Sequence, residues 1–248
     1  EPKLASQERE YVLECLESGW ISSSGNFILK FEDSWAQYCN MRHGVTTSSG
    51  TTALHTAVGC LGLKPGDEVI LPTFTIISCV LAVLYNGGTA VLVDCDPDTW
   101  CMDVSQVEAK ITERTKAIMP VHIYGHPVDM DPLLALADKH DLVIIEDAAE
   151  AHGAQYLTGR SSTEPTWRRC GGLGHMSTFS FYANKLITSG EGGMVLFKEK
   201  QDYLKAKVLR DHGMNQAKKY WHDVVGFNYR LTNIQAAIGV AQLERLDL

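Results

Sequence analysis

The stretch Leu-Val-Ile-Ile-Glu-Asp-Ala-Ala-Glu at residues 142–150 decides the fold class of this chain. Its apolar run is typical of a strand covered on both faces of a parallel sheet, and the run ends in Glu146 and Asp147. Open α/β sheets bind ligands at the carboxyl ends of such strands, where a low dielectric strengthens an ion pair with a cationic partner. The alternative is that these carboxylates only cap the helix that follows.

Apolar runs and helical patterns alternate outward from this strand. Strands are predicted at residues 44–47, 68–71, 90–93, 117–122, 142–145, 176–182 and 194–197. Helices are predicted at residues 51–61, 76–85, 105–111, 131–140 and 200–210, and residues 241–248 read as a further helix. The polar, glycine-rich residues 158–174 read as one long loop. This alternation predicts a mostly parallel sheet with helices on both faces.

Composition and charge exclude several classes of protein. The chain has 248 residues, 45% of them apolar and 21% charged, which is ordinary globular usage for one large domain or two small ones. Lys and Arg number 22 against 30 Asp and Glu, so the net charge of −8 argues against wrapping nucleic acid or lying on an anionic membrane. No apolar run reaches the length of a membrane-spanning helix.

The cysteine and histidine patterns predict neither disulfides nor a metal. Seven cysteines, an odd number without a Cys-x-x-Cys pair, fit a reducing cytosol better than a disulfide framework or a zinc site. The nine histidines lack metal-ligand spacing. We therefore expect a cytoplasmic protein with no metal.

The segment Ser-Ser-Gly-Thr-Thr at residues 48–52 connects a predicted strand to an amphipathic helix. Free N–H groups and hydroxyls at such a helix start can bind an anion. The alternative is an ordinary N-cap by Ser49 or Thr51.

A third signal is Lys185, which a strand-like segment at residues 177–185 delivers towards the glycine-rich residues 190–193. A semi-buried lysine amine in such a place is a nucleophile towards carbonyl groups. The alternative is a surface lysine at the end of a strand. Together, a phosphate-binding helix start, a strand-end carboxylate and a later lysine are the three groups that pyridoxal phosphate requires.

Ordered motifs along nearly the whole chain carry a resemblance to a known family. They are GWISSSG (19–25), SSGTTALH (48–55), KPGDEVILPTFT (64–75), IMPVHIYGHPVDMDP (118–132), IIEDAAEAHGA (144–154), STFSFYANK (177–185), TSGEGGMV (188–195) and GFNYRLTNIQAAIGVAQLERLD (226–247). With these motifs the chain resembles the DegT/StrS family of nucleotide-sugar aminotransferases, a branch of the fold-type-I pyridoxal-phosphate enzymes. The resemblance implies a three-layer α/β/α sandwich with a mostly parallel mixed sheet and one antiparallel strand near residues 194–197.

The resemblance also implies a role for each residue that matches a family motif. Lys185 would bond covalently to pyridoxal phosphate and act as the acid and base, Asp147 would pair with the ring nitrogen, and Glu150 would lie near the ring hydroxyl. Four residues would lie at the cofactor's phosphate: Gly50, Thr51, Thr52 and Ser180. Asn228 would reach the phosphate in a neighbouring subunit, which implies a homodimer with shared active sites.

The activity implied by the resemblance is transfer of an amino group from L-glutamate to a 4-keto-6-deoxy nucleotide sugar. Lysine at position 185 points to transamination, since family members with histidine there act as sugar dehydratases. The alternatives are a UDP- or dTDP-linked keto sugar as substrate, a truncated member that binds cofactor or sugar without catalysis, and a lyase or desulfurase of the same fold.

Three features depart from the family pattern. Ile76 stands where an aromatic ring often stacks on the cofactor. Residues 158–174 form a longer connection than usual, whose Trp167, Arg168 and Arg169 either contact the nucleotide diphosphate or belong to a tolerated insertion. The family's small C-terminal domain is also missing after the last residue, so we expect a fragment with an N-terminal arm or helix at residues 1–25 and the large cofactor-binding domain at residues 26–248.

Overall fold

The computed structural model describes residues 2–160 and 162–247. Strands and helices alternate through most of the chain, as the sequence pattern predicts. The strands are β1 (His43–Thr47), β2 (Glu68–Pro72), β3 (Thr89–Val93), β4 (Thr115–Ile118), β5 (Val143–Asp147), β6 (Gln155–Thr158), β7 (Thr166–Arg169), β8 (Met176–Ser180) and β9 (Gly193–Phe197). The helices are α1 (Ser6–Ser18), α2 (Asn26–Tyr38), α3 (Gly50–Leu61), α4 (Ile77–Tyr85), α5 (Met130–His140), α6 (Lys200–Arg210) and α7 (Asn233–Leu243).

Seven strands form one central sheet in the order β1-β9-β8-β5-β4-β2-β3. Strand β9 is antiparallel to both β1 and β8, and the pairings from β8 through β3 are parallel. Adjacent residues of each strand enter different cores; Ile144, for example, packs with α5, whereas Ile145 packs with α3 and α4. The three-layer sandwich and its antiparallel strand near residues 194–197 are therefore confirmed.

Each face of the sheet has its own helices. Helices α3, α4 and α6 cover one face, while α2, α7 and α5 cover the other. The core beneath α2 and α7 is aromatic, and Trp35 contacts both Phe179 and Phe181 edge to face. Helix α1 packs on α7, and the Tyr11 hydroxyl donates to the carboxylate of Glu244. The division of the chain into segments 1–25 and 26–248 stays a prediction.

Residues 158–174 are not one long loop, so that prediction is wrong. Strands β6 and β7 form a separate antiparallel hairpin in which Gln155 pairs with Arg169 and Thr158 pairs with Thr166. The polar composition hid the hairpin, because its exposed strands bury only part of one face and so lack a clear apolar alternation.

Three further predictions about local structure are wrong. Residues 105–111 form two 3₁₀ turns, since Asp103 accepts hydrogen bonds from the backbone and hydroxyl of Ser105 and closes a tight turn. Strand β4 ends before Pro120, which has no N–H to continue the ladder. The last helix, α7, spans Asn233–Leu243 rather than residues 241–248, because Thr232 and Gln235 form a capping box at its start.

Candidate active site

Asp147 and Glu146 end β5 and point to opposite faces of the sheet, as successive strand residues must. Asp147 is only 2% exposed. Its Oδ1 accepts from the Ala149 N–H at 3.1 Å and its Oδ2 accepts from the Cys79 thiol at 3.1 Å. Burial raises the pKa of Asp147, and the hydrogen bond from Cys79 opposes that rise. The carboxylate is therefore a buried negative charge suited to a cationic ligand group.

Glu146 is a structural residue. Its carboxylate accepts from the ring of His122 at 2.9 Å and from the backbone N–H groups of Gly171, Leu173 and Gly174 at 2.8, 2.8 and 2.5 Å. Burial would raise the pKa of Glu146, but these hydrogen bonds outweigh burial and lower it. The negative charge of Glu146 is thus stabilised by hydrogen bonds from within the fold.

The tautomer of His122 follows from its two partners. Its Nδ1 lies 3.1 Å from the N–H of Val128 and must accept, so the ring proton is on Nε2 and is donated to Glu146. The ring is therefore neutral, and it is buried.

Lys185 follows β8 in a tight turn and its side chain is 16% exposed. Its Nζ lies 3.0 Å from Oε1 of Glu150, whose Oε2 accepts from the N–H of Tyr124 at 2.9 Å. Tyr124 has a left-handed backbone with φ of 50°. Glu150 therefore connects the lysine to a strained turn after β4.

A cavity of about 280 Å³ brings these groups together. It is lined by Phe74, Thr75, Ile76, Val121, His122, Ile123, Tyr124, Asp147, Ala149, Glu150 and Lys185. It opens at the carboxyl end of β5, where ligands of an open α/β sheet are expected. Ile76, which stands in the aromatic position of the family pattern, is 61% exposed at this opening.

The start of α3 lies against the end of β8. A Cβ at position 50 would be 2.8 Å from Cβ of Ser180, so only glycine permits this approach. Ser49 caps the helix by accepting from the Thr52 N–H at 3.2 Å, and the Thr52 hydroxyl completes the capping box. The Thr51 hydroxyl is 2.9 Å from the hydroxyl of Ser78. The N-cap by Ser49 is therefore confirmed, and an anion site at this helix start stays a prediction.

Asn228 is not among the described residues that line the cavity. It lies on the exposed segment between α6 and α7 and pairs with Asp211. The next residue, Tyr229, accepts from the Ser48 N–H at 2.8 Å, so this segment runs beside the approach to α3.

Two arginines of the hairpin make their contacts within the chain. Arg168 donates to the Gly172 carbonyl at 2.5 Å, and Arg169 donates to Asp247 at 3.2 Å. Trp167 is 62% exposed and lines a separate cleft of about 630 Å³, which shares no lining residue with the cavity of Lys185. A contact between these residues and a nucleotide diphosphate stays a prediction.

The structure adds Cys79 and Thr75 to the site, which sequence reasoning missed. Cys79 touches Asp147 and lies 3.1 Å from the Thr75 hydroxyl. Their spacing of four residues was the available signal, since it places both on one face of a helix start. The contact with Asp147 spans 68 residues of sequence and has no local signature.

A family model of the DegT/DnrJ/EryC1/StrS aminotransferases matches residues 2–248. The chain belongs to this family. Its members are pyridoxal-phosphate-dependent enzymes, as the resemblance of the sequence motifs implies.

Named relatives give the likeness more detail. GDP-perosamine synthase of Caulobacter vibrioides is 52% identical over 99% of this chain and 64% of its own length. UDP-N-acetyl-3-dehydro-alpha-D-glucosamine 3-aminotransferase of Acidithiobacillus ferrooxidans is 44% identical over 92% of this chain and 60% of its own length. The crystal structure of 3-amino-5-hydroxybenzoic acid synthase is 36% identical, with a TM-score of 0.91 over 99% of this chain and 63% of that one. The chain thus spans just under two thirds of the length of these relatives.

The described residues offer neither a membrane-spanning helix nor a metal-binding cluster. No helix within residues 2–160 and 162–247 is long and apolar enough to cross a bilayer. Over the same residues, no group of three His, Cys, Asp or Glu side chains is arranged to hold a metal ion.

Proposed function

We propose that this chain is the cofactor-binding part of an aminotransferase that moves an amino group from L-glutamate to a 4-keto-6-deoxy nucleotide sugar. The observation that carries the proposal is that the Lys185 amine and the buried Asp147 carboxylate line one cavity at the end of β5. The 52% identity to a GDP-perosamine synthase supports a GDP-linked sugar.

The residues of the cavity fit pyridoxal phosphate by their chemistry. Asp147 is a buried carboxylate with a raised pKa, so it gains from a cationic partner, and it would hold the ring nitrogen. Four residues at the junction of α3 and β8 would hold the phosphate: Gly50, Thr51, Thr52 and Ser180. Glu150 would lie at the ring hydroxyl. The bound cofactor would supply an electron sink for the bonds of the substrate carbon.

Lys185 is the proposed acid and base. Its Nζ is the amine in the cavity that Glu150 already orients, at 3.0 Å. When it is not bonded to the cofactor, this nitrogen would act as a general base that takes a proton from the carbon of the amino donor. In the other half of the reaction it would act as a general acid that gives a proton to the carbon of the acceptor. The 16% exposure of the side chain limits the access of water to that proton.

We further propose a homodimer with shared active sites, in which Asn228 of one copy reaches the phosphate of the other. Its exposed position, outside the cavity of its own chain, supports that role.

All seven cysteines are free, which supports a reducing cytoplasmic location. The small C-terminal domain of the whole protein would complete the sugar side of the cleft.

A second candidate substrate is a UDP- or dTDP-linked keto sugar. The observation in its favour is the 44% identity to an aminotransferase of a UDP-linked 3-keto sugar. A member that binds cofactor or sugar without catalysis is the alternative from another class. The presence of Lys185 and Asp147 in one cavity argues against it, because these are the two groups that the proposed reaction requires.

The test is a visible spectrum of the purified chain with pyridoxal phosphate, before and after L-glutamate. We expect a band from the lysine-linked cofactor that glutamate bleaches, with release of 2-oxoglutarate. Lys185→Ala and Lys185→Arg should bind cofactor without this band. A folded wild-type chain that forms no band would contradict the proposal, and a band insensitive to glutamate would favour the non-catalytic alternative. A panel of GDP-, UDP- and dTDP-linked keto sugars then identifies the acceptor.

A further inference from the structure

Cys79 lies in α4 with its thiol directed at the carboxylate that ends β5. The residue is 0% exposed, and its Sγ is 3.1 Å from Oδ2 of Asp147. This contact joins the face of the sheet that α3 and α4 cover to the cavity of Lys185.

The direction of the hydrogen bonds follows from the single proton of a thiol. With Asp147 ionised, the proton of Sγ is donated to Oδ2, so Thr75, whose Oγ1 is 3.1 Å from Sγ, must donate its hydroxyl proton to the sulfur. Burial, and next to it the charge of Asp147, raise the pKa of Cys79 well above its usual range, so the thiol keeps its proton. A relay therefore runs from Thr75 through Cys79 to Asp147.

This relay fixes the orientation of the carboxylate. Oδ1 is held by the Ala149 N–H and Oδ2 by the thiol, each at 3.1 Å, so rotation of the carboxylate would break both bonds. Two other titratable groups face Asp147: His122 after β4 and Lys185 after β8. His122 is neutral and donates to Glu146, and Lys185 is paired with Glu150. The Cys79 thiol, by contrast, donates its hydrogen bond to Asp147.

We propose that Cys79 is a positioning residue that keeps Asp147 ionised and aimed at the cofactor ring, with Thr75 as its support. This rests on the proposed function, in which Asp147 pairs with the ring nitrogen. Loss of a hydrogen bond to a buried charge favours the neutral form, and the neutral carboxyl no longer attracts a protonated ring nitrogen. The thiol thus sets the proton affinity of the group on which the cofactor's electron-withdrawing power depends.

The first test measures the protonation of Asp147 in the chain without cofactor. Aspartate is labelled with ¹³C at the carboxyl carbon, the signals are followed from pH 3 to 9, and Asp147→Asn identifies the signal. In Cys79→Ala we expect the proton-binding constant of Asp147 to rise about tenfold. Cys79→Ser places a hydroxyl, which is a stronger donor, next to Asp147. In this variant we expect the Asp147 carboxylate to bind its proton as weakly as in the wild type, or more weakly.

Thr75→Val is the matched control for packing. It leaves the thiol and its volume in place but removes the donor behind it, so we expect a rise about half as large on a logarithmic scale. Circular dichroism checks that every variant is folded. If Asp147 titrates alike in wild type, Cys79→Ala and Thr75→Val, the relay does not act on it and the proposal is overturned. An equal rise in the serine and alanine variants also overturns it, since packing alone would then explain the effect.

The second test measures the dissociation constant of pyridoxal phosphate by quenching of tryptophan fluorescence at pH 8. We expect about tenfold weaker binding in Cys79→Ala and wild-type binding in Cys79→Ser. If the wild type binds no cofactor while the titration still depends on Cys79, the proposed function fails and the control of Asp147 stands. If the wild type binds and Cys79→Ala binds equally well with an unchanged titration, the proposed function stands and the role of Cys79 is overturned.

Discussion

Glu150 holds Lys185 with one carboxylate oxygen, at 3.0 Å, and accepts from the Tyr124 backbone with the other, at 2.9 Å. The carboxylate therefore holds Nζ beside the turn that carries Tyr124, and a ligand that bonds to Nζ must first replace this contact.

The first prediction concerns this ion pair. Glu150→Gln keeps an acceptor for Tyr124 but replaces the ion pair to Nζ with a weaker neutral hydrogen bond, so Nζ leaves this contact more easily and the lysine-linked band should form several-fold faster. Stopped-flow absorbance after mixing with pyridoxal phosphate measures the rate. Glu150→Ala, which also releases Tyr124, is the comparison, and an unchanged rate in both variants would show that the pair does not restrain the amine.

The second prediction concerns the approach of α3 to β8. Gly50→Ala introduces a Cβ 2.8 Å from that of Ser180, so one element must move and the proposed phosphate site is disturbed. We expect a loss of about 1–3 kcal/mol in stability and at least tenfold weaker binding of inorganic phosphate or pyridoxal phosphate. The double variant Gly50→Ala/Ser180→Gly should regain the stability, measured by thermal unfolding. No recovery would mean that the close contact is not the cause.

The third prediction concerns a buried ion pair behind the site. Arg210 donates to Glu32 at 2.7 Å and to the Thr46 carbonyl at 3.1 Å, and the two charged side chains are only 15% and 6% exposed. Arg210→Met leaves the Glu32 carboxylate unpaired, so we expect a loss of about 3–5 kcal/mol in the free energy of unfolding, measured in urea. Arg42→Met removes an exposed arginine that is 3.9 Å from Glu199 and should change little.

The fourth prediction concerns the stability of the protein in acid. Burial lowers the pKa of His152 to about 4, against 6.5 for a free histidine, and within the described residues both of its ring nitrogens lack a hydrogen-bond partner. Between pH 6.5 and 4 the unfolded chain therefore binds a proton that the folded chain does not. Stability falls as the pH falls through this window, by up to about 3 kcal/mol from this residue.

The check is urea unfolding of wild type and His152→Leu at pH 4, 5, 6 and 7. The variant should lose less stability than the wild type between pH 6.5 and 4. His126→Leu changes an exposed histidine and should keep the wild-type slope. Equal slopes in wild type and His152→Leu would show that His152 does not carry this dependence.

Much of the fold could be predicted because its parallel strands are short apolar runs with clear ends. The run before Asp147 is the best example, because a strand that is buried on both faces is marked in the sequence by a continuous run of apolar residues. Helix α2 carries a usable signal as well, because Phe27, Phe31 and Trp35 repeat at helical spacing.

Other features could not be read from the sequence because they depend on pairing across distance. The hairpin of β6 and β7 lies on the surface and has no apolar alternation to mark it. At the site, the sequence predicts two adjacent carboxylates, Glu146 and Asp147. Which of them lines the cavity depends on the orientation of β5 in the sheet. In the sequence, Cys79 is one of several apolar residues of a helix. Its contact with Asp147 becomes visible only in the fold, where β5 lies beside this helix.

The bonds of Glu146 have a consequence for how this chain can vary. Its carboxylate ties down the backbone at Gly171, Leu173 and Gly174, where the hairpin returns to the sheet. The tip between β6 and β7 is thereby mechanically isolated from the strand that carries Asp147. We therefore expect that residues can be added or deleted at that tip, or a tag or a reporter domain grafted there, without moving the carboxylate of Asp147.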